Sequence, residues 1–521
     1  MSRASVLTLA AAAFLTACAP VPCPVAPAPP AVPPAPSPLP ATASTAAVDP
    51  PAGDVYLPKD RAGGSPFCFD PESKALRSFV KGYRHEDGDV FDATLLAADV
   101  RDLHVAMRRL YAGYPELMQD VSFDVERFFS DWEQTLRHGS PTITFGEGVL
   151  RYLVELRRHV RDNHLFVWGR AMKLVRRDDL MFSEYQARRR VEPFDVTQCT
   201  FGGVTPVPGT ARIAKLLTRT GLSDVTTFSA QSSAPSIDVV CGGQTVRFER
   251  HVSRAKGADA HAPTYETRTV GDATVIVVRA LDGSPNAQAL LGQIAADYAK
   301  HKQKSVIVFD FRGNGGGNDG YIYSWVEKAK RGIWPLPHFD VSVTGAARAC
   351  GEWNDLVADQ ITYDRVDSVE GKAERETFRA KTPLGDVLGA PVEAAPSVTS
   401  VTSNATSPYS GRIFALADAA SASSGETSPD ELRTALGATV VGERTGGFLE
   451  FGNVYPYAMP RTGVLWELGS KRNYYTEPRD GVGIPVDVYL DDDLVEAPVE
   501  ALVPLLEKLP KNVGGKAAAS R

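Results

Sequence analysis

The chain has 521 residues, of which 43% are hydrophobic and 23% charged, and its formal net charge is -7. The length predicts two to four domains, and the composition is that of a globular protein able to bury a sizeable core. The acidic balance argues against nucleic acid as a partner, since basic residues cluster only in the mixed stretch 157–190.

The first residues read as a secretory signal: Arg3, an apolar run from Val6 to Leu15, then small residues before Cys18. The run is too short for an ordinary spanning helix. Leu15-Thr16-Ala17-Cys18 resembles a bacterial lipobox, which implies cleavage before Cys18, lipidation of that residue and a membrane anchor. With Ala19 following, the resemblance favours the outer membrane, facing the periplasm. Residues 18–54 are rich in Pro and Ala and form an extended tether. No later run is apolar enough to cross a membrane. Cys23, Cys68, Cys199, Cys241 and Cys350 remain for pairing, an odd number, with Cys23 the expected odd one and the pairing itself open. No CxxC occurs, so no zinc or other metal site is expected.

Residues 55–195 read as a helical domain. Leu96, Val100, Leu103, Met107 and Leu110 recur at helical spacing, as do Val149, Leu153, Leu156 and Val160. The second helix should stop near Asn163, before a short buried strand at Leu165–Trp168, which leaves His164 at the junction. His104 and His159 read as lying on solvated helix faces. Residues 196–265 turn to short strands, a small β-rich domain compatible with a PDZ-like module.

Residues 266–510 carry the clearest architecture, an α/β domain. Strand "ATVIVVRAL", helix "NAQALLGQIAADYAKHK" and strand "SVIVFDF" make a parallel βαβ unit, with Leu290, Leu291, Ile294 and Tyr298 on one helix face. A glycine loop, "RGNGGGND", precedes a helix near Asp319. Strand "GRIFALAD", helix "SSGETSPDELRTAL" and strand "ATVVGER" form a second unit, after an insertion at about 336–408. Residues 511–521 are a tail.

Two loops carry chemistry. The glycine loop aims backbone N–H groups at a phosphate or a developing oxyanion, but lacks the Gly-Lys-Ser/Thr of a nucleotide loop and the dinucleotide spacing. The second, "ADAASASSGE", holds Ser421, Ser423 and Ser424, with Ser428 beyond. A serine at a strand-to-helix turn can act as a nucleophile or simply cap the helix. A nucleophile needs a base; His164 and Lys471 are the candidates.

"VIVFDFRGNGGG", "ASASSGE" followed by "ATVVGERTGG", and "YYTEPRDGVGIPVDV" resemble segments of the C-terminal processing (tail-specific) peptidases and the tricorn core protease. "DLHVAMRRLYAGYPEL" resembles the helical start of the tricorn-like branch. The resemblance implies a crotonase-like ββα spiral, hydrolysis of peptide or protein substrates without a cofactor, and 266–510 as catalytic domain. It puts the nucleophile at Ser423 and the oxyanion donors at the N–H of Ser424 and one from Gly315 or Gly316. Phe448 stands where the processing peptidases have a catalytic Lys, so the Ser-Lys pair is absent unless Lys471 replaces it. Asp162-Asn163-His164-Leu165 resembles the tricorn-like "DGHT" segment, which implies His164 as base. Glu477, with Asp480 next, is the expected orienting carboxylate. The rival reading is an inactive peptide- or ligand-binding lipoprotein on the same scaffold.

Overall fold

The computed structural model describes residues 85–167, 182–192, 198–253, 255, 263–281, 285–336, 339–343, 394–396, 400–459, 461–462, 464–475, 477–511 and 513. The signal, the tether, Cys18, Cys23, Cys68, Cys350, Trp168 and most of the 336–408 insertion lie outside them. None of the described helices is long and apolar enough to cross a membrane.

The N-terminal part is helical: Ala93–Leu110, Tyr114–Gln119, Val125–His138, and a π-helical turn Gly146–Leu150 that runs into Arg151–His159. Asp92 and Asp124 start the first and third helices by accepting backbone N–H groups of the first turn. The predicted apolar face is buried at Leu96, Val100, Leu103 and Met107. It packs with Phe129, Trp132 and Leu153, and also with Phe451, Tyr457 and Trp466 from far along the chain. The helices therefore share one core with the strands Phe451–Ala458 and Leu465–Tyr474. Asp99 adds a buried polar link, accepting the N–H groups of Arg461 and Thr462 and the Thr462 hydroxyl. His104 and His159 are not on solvated faces. His104 stacks on Phe129 at 4.2 Å and His159 on Phe123 at 3.9 Å, because flat rings fill gaps between helices.

A twelve-stranded mixed sheet carries the rest. Its parallel centre runs Ala273–Val278, Val306–Asp310, Arg412–Ala417, Thr439–Gly442 and Val488–Leu490. These strands are buried on both faces, which is why they read as unbroken apolar runs. Helices Pro285–His301, Gly320–Ala329 and Ser424–Leu436 cover one face through Leu291, Ile294, Tyr298, Trp325 and Leu432. Leu290, predicted on that face, is partly exposed instead. Helix Val499–Glu507 covers the other face through Leu502, Val503 and Leu506.

The β-rich segment continues the same sheet: Val488–Leu490 pairs in parallel with Arg212–Thr218, which leads to the strands Gly221–Ala230, Ser183–Ala187, Gln244–Arg250, Ser236–Cys241 and Cys199–Phe201. A disulfide joins Cys199 to Cys241, which face each other across the last pair of strands.

Because the central strands are parallel, Asp310, Ala417 and Gly442 end at one edge of the sheet. The loops that follow them, the glycine loop, the serine turn and the segment from Glu443 to Glu450, must converge there, the usual location of a site in an open α/β sheet.

Candidate active site

Asp310 anchors the glycine loop. Arg312 clamps its carboxylate through two nitrogens at 2.9 Å, and Arg279 adds a third contact at 2.9 Å. These guanidinium groups hold the buried Asp310 carboxyl down at about 2. Asn314 is fully buried and spends every polar group on shape. Its side-chain nitrogen donates to the Val278 carbonyl, its Oδ1 accepts the Gly316 N–H at 2.8 Å, and its carbonyl accepts the Ala422 N–H at 2.9 Å. Asp418 ties the two loops together, accepting the N–H groups of Gly313 and Ser421.

The serine turn follows the strand Arg412–Ala417 and starts the helix Ser424–Leu436. Ser423 sits there with φ of 52°, in the left-handed region that non-glycine residues avoid. The other serines are spent on structure: the Ser421 hydroxyl donates to Phe311 O, that of Ser424 to Gly317 O at 2.7 Å, and that of Ser428 to Ser424 O at 2.7 Å. Of the four, Ser423 alone has a hydroxyl that donates to no described protein group. Gly316 backs it closely: a Cβ there would lie 2.8 Å from the Ser423 Cβ.

Glu426 organises the turn from within. Its buried carboxylate accepts the N–H groups of Ser423 at 3.2 Å, Gly447 at 3.0 Å and Phe448 at 2.7 Å, and the Thr445 hydroxyl. Burial pushes its carboxyl up to about 7 against the pull of these donors. Sequence reasoning passed over Glu426, although Ser423-x-x-Glu426 has the spacing of a capping box.

His164 lies in the turn between the helix Arg151–His159 and the strand Phe166–Val167, which pairs with Trp466 and Glu467. Two buried carboxylates hold that turn: Asp162 accepts the His164 N–H at 2.7 Å, and Asp480 accepts the Asn163 N–H at 3.1 Å. Asp480 also accepts the N–H groups of Leu449 and Glu450, which binds the turn to the segment after Phe448. The Asn163 side chain donates to Gly447 O. The His164 ring meets the Phe448 ring edge-on at 5.4 Å. Phe448 thus fills the expected Lys position with a ring that packs on the candidate base. Burial pushes the His164 imidazole down to about 4, and its Nδ1 has no hydrogen-bond partner.

Several expected residues lie elsewhere or are otherwise engaged. Glu477 makes no hydrogen bond to His164; its carboxylate lies against Gly209, where a Cβ would fall 2.7 Å from it, because the β-rich segment packs onto this loop. Asp480, the second choice, reaches the His164 turn through backbone rather than the ring. The N–H of Gly316 is consumed by Asn314, whereas those of Gly315 and Ser424 make no hydrogen bond among the described residues. Lys471 lies on the strand Leu465–Tyr474 opposite Gly452.

A strained serine at a strand-to-helix turn, backed by a glycine loop with open N–H groups, has the geometry of a nucleophile turn, and the turn that carries the buried His164 is tied to the neighbouring segment through Asp480, Gly447 and Phe448. Residues 274–465, which hold both loops, match the model of Peptidase family S41, and this match supports a serine peptidase acting on peptide or protein substrates. No curated protein matches the chain in sequence. Among solved structures, mature CPAF overlaps with a TM-score of 0.41 at 13% identity, over 77% of this chain and 94% of that one. The photosystem II D1 C-terminal processing protease overlaps with a TM-score of 0.38 at 12% identity, over 79% and 96%. A lipoprotein from Streptococcus agalactiae overlaps with a TM-score of 0.38 at 11% identity, over 80% and 97%.

Proposed function

We propose that this peptidase is a lipid-anchored cell-envelope enzyme that cleaves peptide bonds through Ser423 and His164. The observation that carries the reading is Ser423 itself: strained at φ 52°, backed by Gly316, its hydroxyl donating to no described group. Ser423 Oγ attacks the scissile carbonyl and passes its proton to an imidazole nitrogen of His164. The N–H groups of Ser424 and Gly315 receive the oxyanion; one such donor is typically worth about 2.7–4 kcal/mol. His164 returns the proton to the leaving amine, and water hydrolyses the acyl-enzyme by the same route. Burial keeps the imidazole neutral near pH 7, ready to accept a proton. No hydrogen bond joins Ser423 to His164 or a carboxylate to Nδ1 in this structure, so substrate binding has to bring Ser423 and His164 into line.

The sheet with its flanking helices is read as a crotonase-like spiral spanning 266–510, preceded by the helical and β-rich segments. The Leu15-Thr16-Ala17-Cys18 pattern supports lipidation at Cys18 and an outer-membrane location facing the periplasm.

A fluorophosphonate probe tests the mechanism. Wild type should be labelled at Ser423, Ser423→Ala should not be, and His164→Ala should react at least tenfold more slowly. Folded wild type that neither labels nor cleaves peptides overturns the assignment. Labelled palmitate incorporated by wild type but not by Cys18→Ala checks the anchor.

A further inference from the structure

A cavity of about 690 Å³ lies in the β-rich segment, on residues that the catalytic site does not use. The strands Ser183–Ala187 and Gln244–Arg250 pair only at Tyr185 with Arg250 and at Gln186 with Glu249. The cavity is lined by residues 186–189 on and after the first of these, by Arg247 and residues 249–252 on and after the second, and by Asp492. Its wall carries four arginines, Arg188, Arg189, Arg247 and Arg250, against two carboxylates, Glu249 and Asp492. Arg188 is bound to Asp491 and Asp492, and Arg247 to Glu249. Arg189 is exposed and has no ion-pair partner among the described residues. Gln186, in the same wall, is 8% exposed, and its side-chain nitrogen is buried with no acceptor. A buried donor left unpaired is destabilising, and an acceptor on a ligand would relieve that cost.

The cavity is also wired to the serine turn. His251 in its wall shares a 2.8 Å hydrogen bond with Glu443, which is buried and donates its own N–H to Ala417 O. Two residues on, the Thr445 hydroxyl holds Glu426.

We infer that this cavity binds an acidic peptide segment, whose side-chain carboxylates meet Arg189 and the Gln186 amide. The exposed Arg189 guanidinium and the orphaned Gln186 amide donor both ask for oxygen acceptors, and a volume of this size admits several residues of a flexible chain rather than a single small anion. The site serves as a remote anchor for acidic substrates, coming to bear on the serine turn through His251 and Glu443. Binding does not depend on the Ser423 assignment, so it is measured on the full chain carrying Ser423→Ala.

The probe is a fluorescein-labelled decapeptide alternating Glu and Gly, followed by anisotropy at low and moderate salt. Saturable binding that weakens with salt is expected, with no binding of the Lys-Gly counterpart. Arg189→Glu should weaken it by about tenfold or more, and Gln186→Leu by a few-fold. Arg189 is exposed, so its variant tests binding without disturbing the fold. Absence of saturable binding, or undiminished binding by Arg189→Glu, overturns the inference. So does equal binding of a single-stranded oligonucleotide of matched charge, since the cavity would then be a general polyanion surface.

Discussion

Acidification should unfold this protein in part through His164. The ring is buried, has no partner for Nδ1 and carries no neighbouring carboxylate hydrogen bond to stabilise its charged form. Burial takes its pKa from the ordinary 6.5 to about 4. In the unfolded chain the imidazole is free to protonate near 6.5. Because the folded value is the lower one, the unfolded state binds more protons between the two, and stability falls as pH drops through that window. The full difference is about 3 kcal/mol, present above pH 6.5 and lost by pH 4. Other buried acids titrate nearby, so the measurement must be a difference. Urea unfolding of the Ser423→Ala protein is compared with that of Ser423→Ala/His164→Leu at several values between pH 7.5 and 4. The histidine-containing protein should lose about 3 kcal/mol more than the leucine variant. Parallel curves would refute the burial argument and mean that the ring reaches solvent or a carboxylate in solution.

Gly316→Ala places a Cβ 2.8 Å from the Ser423 Cβ and 2.9 Å from Ala422 O, at a φ of 112°; with roughly 1–3 kcal/mol of strain at the turn, kcat should fall at least tenfold while far-UV circular dichroism is unchanged. Asp480→Ala frees the N–H groups of Asn163, Leu449 and Glu450, so kcat should drop with little change in KM, and Asp480→Asn should recover part of the loss. Removing the disulfide with Cys199→Ala/Cys241→Ala opens a loop of 42 residues and should lower unfolding free energy by about 2–4 kcal/mol, read in urea without reductant. Asp99→Ala strips the acceptor from Arg461 and Thr462 and should cost about 3–5 kcal/mol, seen as a lower thermal midpoint.

Local patterning determined much of this protein. Apolar runs bounded by Gly, Asn and Ser gave the parallel strands, because a strand buried on both faces leaves no polar alternation to confuse with a loop. Period and spacing gave the helix that carries Leu96 to Met107, the helix after Asp319 and the turn at Ser423, and the match to a known family selected that serine among four. The tertiary structure decided what depends on distant contact. That Ser421, Ser424 and Ser428 are spent on Phe311, Gly317 and the helix itself is invisible without the glycine loop folded against them. Gly316 loses its N–H to Asn314 through a side-chain rotamer that spacing cannot reveal. His164 and Asp480 are over three hundred residues apart, and only packing of the helices on the strands after Phe448 brings their turns together. The same packing, which sets an aromatic ring against His164 where a Lys was expected, sends Glu477 to Gly209 instead of to the imidazole. Sequence spacing specifies what one strand or helix can present, whereas the partner of a buried polar group is fixed by which segments share a core.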